Sequence, residues 1–452
     1  MSDPMNVQPR HQYGAFLKQL PDDWEQKEIT QIGAVVGGGT PSREVPSFWR
    51  GSIPWATPGE VSGEDAKLLH DTNDHISASG LAGSGANLLS AGSLLVTTRA
   101  TLGARVINAV PMATNQGFKS IVFKRPEEAS YYFHLLEKVK PELVRRASGT
   151  TFLEISAAEF GSIKVPSPSP NEKQKISQIL DTLDTAIHET DVVIAKLKAV
   201  KQGMLHDLLT RGIAANNELR PPQAEAPHLY KESPLGWIPK EWGAVTLSAC
   251  SLKIADRDHT TPRYIEDGVL IVSPTNLLDD EGIDFVSSKR ISRRAHEINC
   301  KKTDLAPGDI VLHRIGAGLG RVRLVTAEMP EFSILHSMAQ IRPNLNAMTS
   351  HFMLWAMRAE STKNQMGLGT QSIGVPDLGL DKISNFIVPK PPLEEQRQIA
   401  ERLVALQTRI DADSNDYAKL VTLKSGLMDD LLTGRVRVTP LLAEAAQQHG
   451  SA

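Results

Sequence analysis

VPSPSPNEKQKISQILDTLDTAIHETDVVIAKLKAVKQGMLHDLLT, from Val165 to Thr210, recurs as VPKPPLEEQRQIAERLVALQTRIDADSNDYAKLVTLKSGLMDDLLT, from Val388 to Thr433. The copies align without a gap at a constant offset of 223 positions, so that Val388 stands to Val165 as Thr433 stands to Thr210. Glu172/Glu395, Ile176/Ile399, Leu180/Leu403, Leu183/Leu406, Ile187/Ile410, Leu197/Leu420, Lys201/Lys424 and Gly203/Gly426 match, as does the closing Asp-Leu-Leu-Thr. A long internal repeat constrains architecture more than any single residue can.

Each copy reads as one long helix. Proline lacks an amide donor and clashes with the preceding turn, so the Pro-rich lead-in is not helical. Beyond it, apolar residues fall at Ile176, Leu180, Leu183, Ile187, Ile194, Leu197, Met204 and Leu208; with Thr190 and Lys201 included, the steps alternate four and three. The second copy runs Ile399, Leu403, Leu406, Ile410, Asp413, Tyr417, Leu420, Lys424, Leu427 and Leu431. This heptad period favours a left-handed coiled coil. About 38 residues at ~1.5 Å each make a rod of roughly 57 Å. Neither helix buries its stripe alone, so the expectation is an antiparallel pair in which Ile176 meets Leu431, Ile187 meets Leu420 and Leu208 meets Ile399. Lys201 then faces Leu406 and Lys424 faces Leu183, each sending its ammonium outward. The pattern leaves open a second arrangement, two ordinary amphipathic helices docked on separate globular domains.

The 452 residues leave room for two or three domains, and an apolar fraction of 40% with 22% charged residues is that of ordinary globular proteins. There is no run of 18 apolar residues and no secretory signal in MSDPMNVQPRHQYGAF, and the only cysteines are Cys250 and Cys300. The expectation is therefore a cytoplasmic protein with no membrane span and no disulfide framework. A net charge of −3 does not announce a nucleic-acid binder, but phosphate contact needs only a local basic patch.

The globular stretches also repeat. LGWIPKEWGAV echoes LPDDWEQKEI, with Trp242 matching Trp24; Thr261-Pro262 echoes Thr40-Pro41; Ile271–Asn276 echoes Pro54–Gly59; Ile291-Ser292 echoes Ile76-Ser77; PGDIVLHRIGAGLGRVRLV echoes AGSLLVTTRATLGARVI. Offsets here vary between 215 and 221, so the layout is shared while the detail has diverged. Both stretches have mixed α/β texture with mostly short strands, and a helix is expected over Ala129–Arg146, kinked or split at Pro141. The resulting fold class is α+β: two similar mixed α/β domains separated by two long helices packed as an antiparallel coiled coil, with pseudo-two-fold symmetry. The boundaries are an N-terminal arm 1–19, a first domain 20–164, a helix 165–211, a polar, Pro-rich linker 212–234, a second domain 235–387, a helix 388–433, and a tail 434–452 that is strand-like over Arg435–Val438.

Catalytic and metal-binding signatures are lacking. Gly316-Ala317-Gly318-Leu319-Gly320 is followed by a strand, whereas a phosphate-cradling loop needs a helix N-terminus, so it reads as a glycine hairpin. Gly37-Gly38-Gly39-Thr40 lacks the Gly-Lys-Ser/Thr ending of a P-loop. His259, His296, His313 and His336 show no paired ligand spacing and no short-range cluster with the cysteines. Basic residues, in contrast, recur at corresponding loops. The candidate DNA contacts are Thr40, Arg43, Arg99, Arg105 and Lys119 in the first domain and Arg263, Arg293, Arg314, Arg321 and Arg323 in the second, with Lys289, Arg290, Arg294, Lys301 and Lys302 nearby. Arginine reads guanine edges bidentately and clamps phosphates. Asn115, Gln116, Asn276 and Gln371 are base readers by residue type alone.

The two Val-Pro-x-Pro lead-ins, Glu172-Lys173 and Glu395-Gln396, the Ile/Leu heptads, the closing Asp-Leu-Leu-Thr, the Thr-Pro turns, the Ile-Ser segments and Gly308–Arg314 together resemble specificity subunits of type I restriction–modification enzymes, over roughly residues 20–436. Lys173 opposite Gln396, and Gly92-Ser93 opposite Gly308-Asp309, depart from an exact repeat. The resemblance implies two target recognition domains, each reading one half of a bipartite double-stranded DNA site. It implies helices that set the spacer and dock two methyltransferase subunits, their contacts centred on Ile176, Leu180, Leu183, Ile187, Leu197, Leu208, Ile399, Leu403, Leu406, Ile410, Leu420 and Leu431. It implies a non-catalytic chain with no cofactor of its own, with S-adenosylmethionine, ATP and Mg in the methyltransferase and restriction subunits of a host-defence complex. The alternatives are a stand-alone DNA-modifying enzyme with an unrecognised site and a coiled-coil adaptor that never touches DNA.

Overall fold

The computed structural model describes residues 12–62, 67–99, 101–148, 153–258, 260, 262–278, 281–369 and 376–443. The chain divides into two compact units, Met1–Thr190 with Asp416–Ala452, and Asp191–Asn415. Each long helix, Pro170–Thr210 and Leu393–Leu431, is thus shared between units at its middle.

In the first unit, Glu25–Glu28 pairs antiparallel with Lys164–Ser167, and the first long helix starts three residues further on. A five-stranded sheet has the order Gly33–Gly37, Lys119–Phe123, Leu94–Val96, Arg105–Asn108, Leu68–Leu69. A three-stranded sheet has the order His75–Ile76, Ile53–Ala56, Ala113–Thr114, its last pair parallel.

The second unit repeats this layout. Gly243–Thr246 pairs antiparallel with Ile387–Lys390, the lead-in of the second long helix. One four-stranded sheet has the order Ser251–Ala255, Met338–Pro343, Ile310–His313, Val322–Leu324. The other has Tyr264–Ile265, Lys289–Ile291, Val269–Val272, Phe332–Ile334, again with a parallel last pair. The sequence echoes now have physical causes. Ile76 and Ile291 are fully buried strand ends, and Ser77 and Ser292 cap the next helix by accepting from the Gly80 and Ala295 amides. Gly92 and Gly308 both hold positive φ, +82° and +95°, in the turn before a buried strand, which glycine adopts without strain.

The antiparallel helix pairing is visible inside each unit. In the first, Ile176 and Leu180 share a core with Met428, Leu431 and Leu432, together with Trp24, Leu135, Val139 and Val165. In the second, Leu208 and Leu209 share one with Ile399, Ala400 and Leu403, together with Trp242, Trp355 and Val388. Ile410 is buried, whereas Leu183, Ile187, Leu197, Leu406 and Leu420 are half-buried, because away from the sheets the pair covers only one face of each helix.

Several expectations are corrected. The seam lysines do not send their ammonium groups out: Lys201 donates to Gln407 Oε1 at 2.6 Å, and Lys424 pairs with Asp184. Residues 212–234 are not a free linker. Ile213 is buried, Tyr230–Ser233 forms a hairpin with Gly236–Pro239, and Arg220 pairs with Glu395. In the N-terminal arm, Gln12–Lys18 is helical and buries Tyr13, whose hydroxyl donates to the Lys164 carbonyl at 2.7 Å; residues 1–11 lie outside the described residues. Arg435–Val438 forms no strand and instead carries Val438 into the first unit's core. The Ala129–Arg146 helix runs unbroken through Pro141, while its counterpart, which has no proline, is split at Ala359 into Ser350–Arg358 and Glu360–Gly369.

Candidate nucleic-acid interface

In the first unit the Gly-rich loop is held against the turn 114–117: the Gly39 amide donates to the Thr114 carbonyl at 2.9 Å, and a Cβ on Gly38 would lie 2.0 Å from the Asn115 carbonyl oxygen. This closeness requires glycine and brings Thr40 to Gln116, hydroxyl to side-chain oxygen at 2.6 Å, on the exposed surface. Arg43 stacks with Cζ 3.6 Å from the Trp49 ring centroid and is steered by Asp74 at 2.6 Å. Arg99 and Lys119 converge on Glu154 at 4.0 and 3.5 Å. Thr40, Arg43, Arg99 and Gln116 thus present polar tips to solvent. Asn115 turns inward, its Oδ1 accepting from the Gly117 amide at 2.8 Å.

Arg105 is a different case. Its guanidinium donates to the Phe133 carbonyl and to Glu137 at 2.9 Å, tying its strand to the Ala129–Arg146 helix. Burial raises the Glu137 pKa, but the hydrogen bond from Arg105 and its charge leave the carboxyl below its usual range.

In the second unit the basic candidates separate. Arg263 and Arg293 are exposed, Arg293 pairing with Glu331 at 2.6 Å and holding that carboxyl below its usual range. Lys289, Arg290, Arg294, Lys301 and Lys302 are also exposed, on the Lys289–Ile291 strand and around the Arg293–Cys300 helix. Arg314 and Arg323 are interior, which removes them from the surface set. Arg314 bridges Asp256 at 2.7 Å and Asp377 at 2.5 Å; Arg323 donates to the Gly282, Leu278 and Val322 carbonyls. Arg321 is half-buried and donates to the Leu277 and Pro274 carbonyls at 2.7 and 3.0 Å, so it braces a loop. Asn276 is buried and caps its own turn through Ser273. Gln371, His259 and Thr261 lie outside the described residues.

The glycine hairpin is confirmed: Ile310–His313 pairs antiparallel with Val322–Leu324, and Gly316, Gly318 and Gly320 all hold positive φ. The histidine reading needs one correction, since Cys300 Sγ lies 3.3 Å from His296 Nε2. Burial pushes the Cys300 thiol pKa up, opposite to what an activated nucleophile requires. Sequence reading also misses His134, Asp181 and Asp184, whose ligand atoms lie within 4.8 Å of one another. Lys67 Nζ already sits 2.5 Å from Asp181, and Lys424 sits on Asp184, so two ammonium groups fill the place a cation would take. Among the described residues, no helix is long and apolar enough to cross a membrane.

With this geometry in hand, similarity to known proteins becomes informative. Residues 21–198 and 268–420 match the family model for the type I restriction modification DNA specificity domain. The chain belongs to this family. The type I restriction enzyme MjaIX specificity subunit of Methanocaldococcus jannaschii is 24% identical over 433 residues, 94% of this chain and 96% of that one. The MjaVIII specificity subunit of the same organism is 24% identical over 434 residues, 94% and 95% of the two chains. The crystal structure of an S subunit of a type I restriction–modification system from M. genitalium superposes with a TM-score of 0.57 at 15% identity, covering 91% of this chain and 98% of that one, which supports the fold. This is a DNA-recognition subunit of the specificity type, and its sequence-reading surface is to be sought on the two sheet units.

Proposed function

We propose that each unit reads one half of a bipartite DNA sequence and that the paired helices set the distance between the halves. The observation that carries this is the duplicated strand order with its parallel last pair, bearing unlike side chains at matched loops. Thr40, Arg43 and Gln116 occupy one such place; the Tyr264–Arg294 region, with its exposed lysines and arginines, occupies the other. Shared scaffolding with diverged tips is what two readers of different half-sites need.

The helices also serve as docking sites for two methyltransferase subunits. Val200 and Leu423 are equivalent in the repeat and are both about half exposed, at 52% and 50%, which gives each unit the same apolar foothold. S-adenosylmethionine, ATP and Mg then belong to the methyltransferase and restriction subunits, and the target adenine is flipped into a partner's pocket. This chain contributes recognition and geometry.

Exchange of residues 236–385 for those of a relative tests the reading. Methylome sequencing of a host carrying the hybrid should report one altered half-site; alteration of both halves overturns the two-reader model. Methyl transfer by the purified chain alone, without a partner, would favour the stand-alone enzyme instead.

A further inference from the structure

Each unit sets an exposed cation on an aromatic ring at the edge of the sheet with the parallel last pair. The offset of 215 positions that relates Ile76 to Ile291 also relates Trp49 to Tyr264 and Asp74 to Lys289. In the first unit the edge strand is His75–Ile76, and the Pro46–Trp49 turn lies against it, the Phe48 carbonyl accepting from the Ser77 amide at 2.8 Å. Arg43, from the loop before that turn, lies on Trp49 and is held by Asp74. In the second unit Tyr264 pairs with Ile291 in the edge strand, and the cation stands at the place of Asp74 itself: Lys289 Nζ lies 4.3 Å from the Tyr264 ring centroid. The ring is thus kept at an equivalent place, while the charge beside it is reversed and the cation comes from a different element.

The first platform is rigid. Trp49 Nε1 donates to the Ser42 carbonyl at 3.0 Å and Trp55 Nε1 to the Gly39 carbonyl at 2.9 Å, and the two indoles meet edge to face with centroids 5.0 Å apart. One aromatic pair therefore pins both ends of the loop that carries Thr40 and Arg43. Exposed cation–π contacts and exposed ion pairs add little to folding, and the Arg43 side chain is 58% exposed. Such fixation serves binding instead, because a long side chain that is already ordered loses little entropy when it meets a partner. Asp74 takes Nη2, and among the described residues no hydrogen bond takes Nε or Nη1. A guanidinium and an ammonium can only donate, so each needs an edge of acceptors. In the major groove, guanine offers two adjacent acceptors, O6 and N7, whereas adenine places a donor beside its N7. We infer that Arg43 and Lys289 are specificity-determining residues, each reading a guanine in the half-site of its own unit, which rests on the DNA-reading role above. Asp74 is a positioning residue for Arg43, and Trp49 and Tyr264 are the plates on which the two cations are held.

The test uses the full-length chain in complex with methyltransferase subunits, and each variant decides for its own unit. Arg43→Ala should relax one position of the first half-site, a guanine on one strand, and leave the second half-site unchanged; Lys289→Ala should do the reverse. Methylome sequencing of hosts carrying each complex reads this. In fluorescence anisotropy, Arg43→Ala should weaken the wild-type site roughly tenfold or more, while sites already altered at that position bind as before. Asp74→Asn should keep guanine preferred there by a smaller margin, as a positioning role requires. Weakening of all sequences alike, with the slope of log affinity against log salt lowered by about 0.9, makes the residue a phosphate contact and overturns the guanine reading. A lower unfolding temperature with unaltered sequence preference makes it a structural support and also overturns it, as does a half-site without guanine on either strand. The exchange of residues 236–385 keeps two failures apart. If the exchange alters one half-site while neither variant alters any base, the two readers stand and the guanine contacts fall. A wild-type complex that methylates no bipartite site defeats both.

Discussion

Lys201 Nζ donates to Gln407 Oε1 at 2.6 Å, and in the other unit Lys424 reaches Asp184, the position equivalent to Gln407 in the repeat. The heptads put Leu406 and Leu183 opposite these lysines, so the register is right to one residue and the lysines lean to the polar neighbour. Burial lowers the Lys201 pKa, with Glu281 opposing, so the ammonium is held at a cost. Lysine at a seam position fixes register at the expense of stability. Lys201→Leu should therefore raise the urea midpoint of the chain, corresponding to about 1 kcal/mol of unfolding free energy for a half-buried leucine. A lower midpoint would show that the contacts to Gln407 and Glu281 outweigh desolvation.

Glu395 is the acceptor on which the second unit closes. It takes hydrogen bonds from the Ile213 amide at 2.7 Å, from Trp242 Nε1 at 2.9 Å and from Arg220. Its repeat equivalent, Glu172, takes Arg437 at 2.7 Å, but Arg437 is also held by Asp23 at 2.8 Å. Glu395→Ala strands the Trp242 indole N–H and the Ile213 amide and leaves Arg220 only the Arg211 carbonyl at 3.1 Å and Glu241 at 4.0 Å, and should cost roughly 3 kcal/mol. Glu172→Ala should cost less, roughly 1–2 kcal/mol, because Arg437 keeps its two-pronged pairing with Asp23. Hydrogen exchange resolved by unit would read both; equal losses would contradict this ranking.

These same residues show what sequence reading reaches. Helix length and the heptad seam follow from a local period, and they are legible; the start is not, because Pro170, part of the lead-in expected to be non-helical, is the first helical residue, where its missing amide costs nothing. The fate of residues 212–234 is not, because Arg220 is fixed by a carboxylate 175 positions later. Arg314 reads as a DNA contact because it follows a strand at a turn. Its burial depends on Asp256 and Asp377, 58 and 63 positions away, and no period announces such pairing.

The first unit's basic residues should divide by role. Arg105 holds the Ala129–Arg146 helix, so Arg105→Gln should lower the unfolding temperature and leave the salt dependence of DNA binding unchanged. Arg99 and Lys119 share Glu154. The double change Arg99→Gln with Lys119→Gln should lower the salt slope by about 0.9 for each phosphate no longer neutralised, and Glu154→Gln should tighten binding to every sequence. Fluorescence anisotropy across a salt series distinguishes these. A salt slope altered by Arg105→Gln would return that residue to the interface.

His134 makes the first unit acid-sensitive. Burial lowers its pKa, while Asp181, bonded to Nε2 at 2.7 Å, and Asp184 oppose; Lys67 adds to the lowering. The folded state thus binds this proton less readily than the unfolded chain, whose histidine titrates near about 6.5. Stability is full above that value and declines as pH falls through it toward the lower folded value. Asp181 adds a second window. Burial raises its pKa, but hydrogen bonds from His134 and Lys67 bring it down to about 2, so its contribution is lost as pH falls from about 4 toward that value. Thermal unfolding from pH 8 to 2 should show both declines, and His134→Asn should shrink the upper one to the part that His313, also lowered by burial, contributes. A profile unchanged by His134→Asn would exclude the histidine as its source.

The helices offer the sharpest test of a ruler. Thr190 and Asn415 lie at the junctions where each helix passes from one unit to the other. Seven residues inserted after Thr190 alone lengthen one helix by about 10.5 Å and leave its partner short. The pairing then fails on one side of the insertion, and the chain should lose stability as well as activity. A matching heptad after Asn415 restores the partner. Because seven residues keep the a and d positions aligned, the seam should re-form. At ~3.4 Å per base pair, the doubly extended chain should accept a spacer about three base pairs longer, with both half-sites unchanged in sequence. Methylome sequencing reads this directly. A stable, active double insertion that still selects the original spacer would show that the helices hold the units without measuring the DNA.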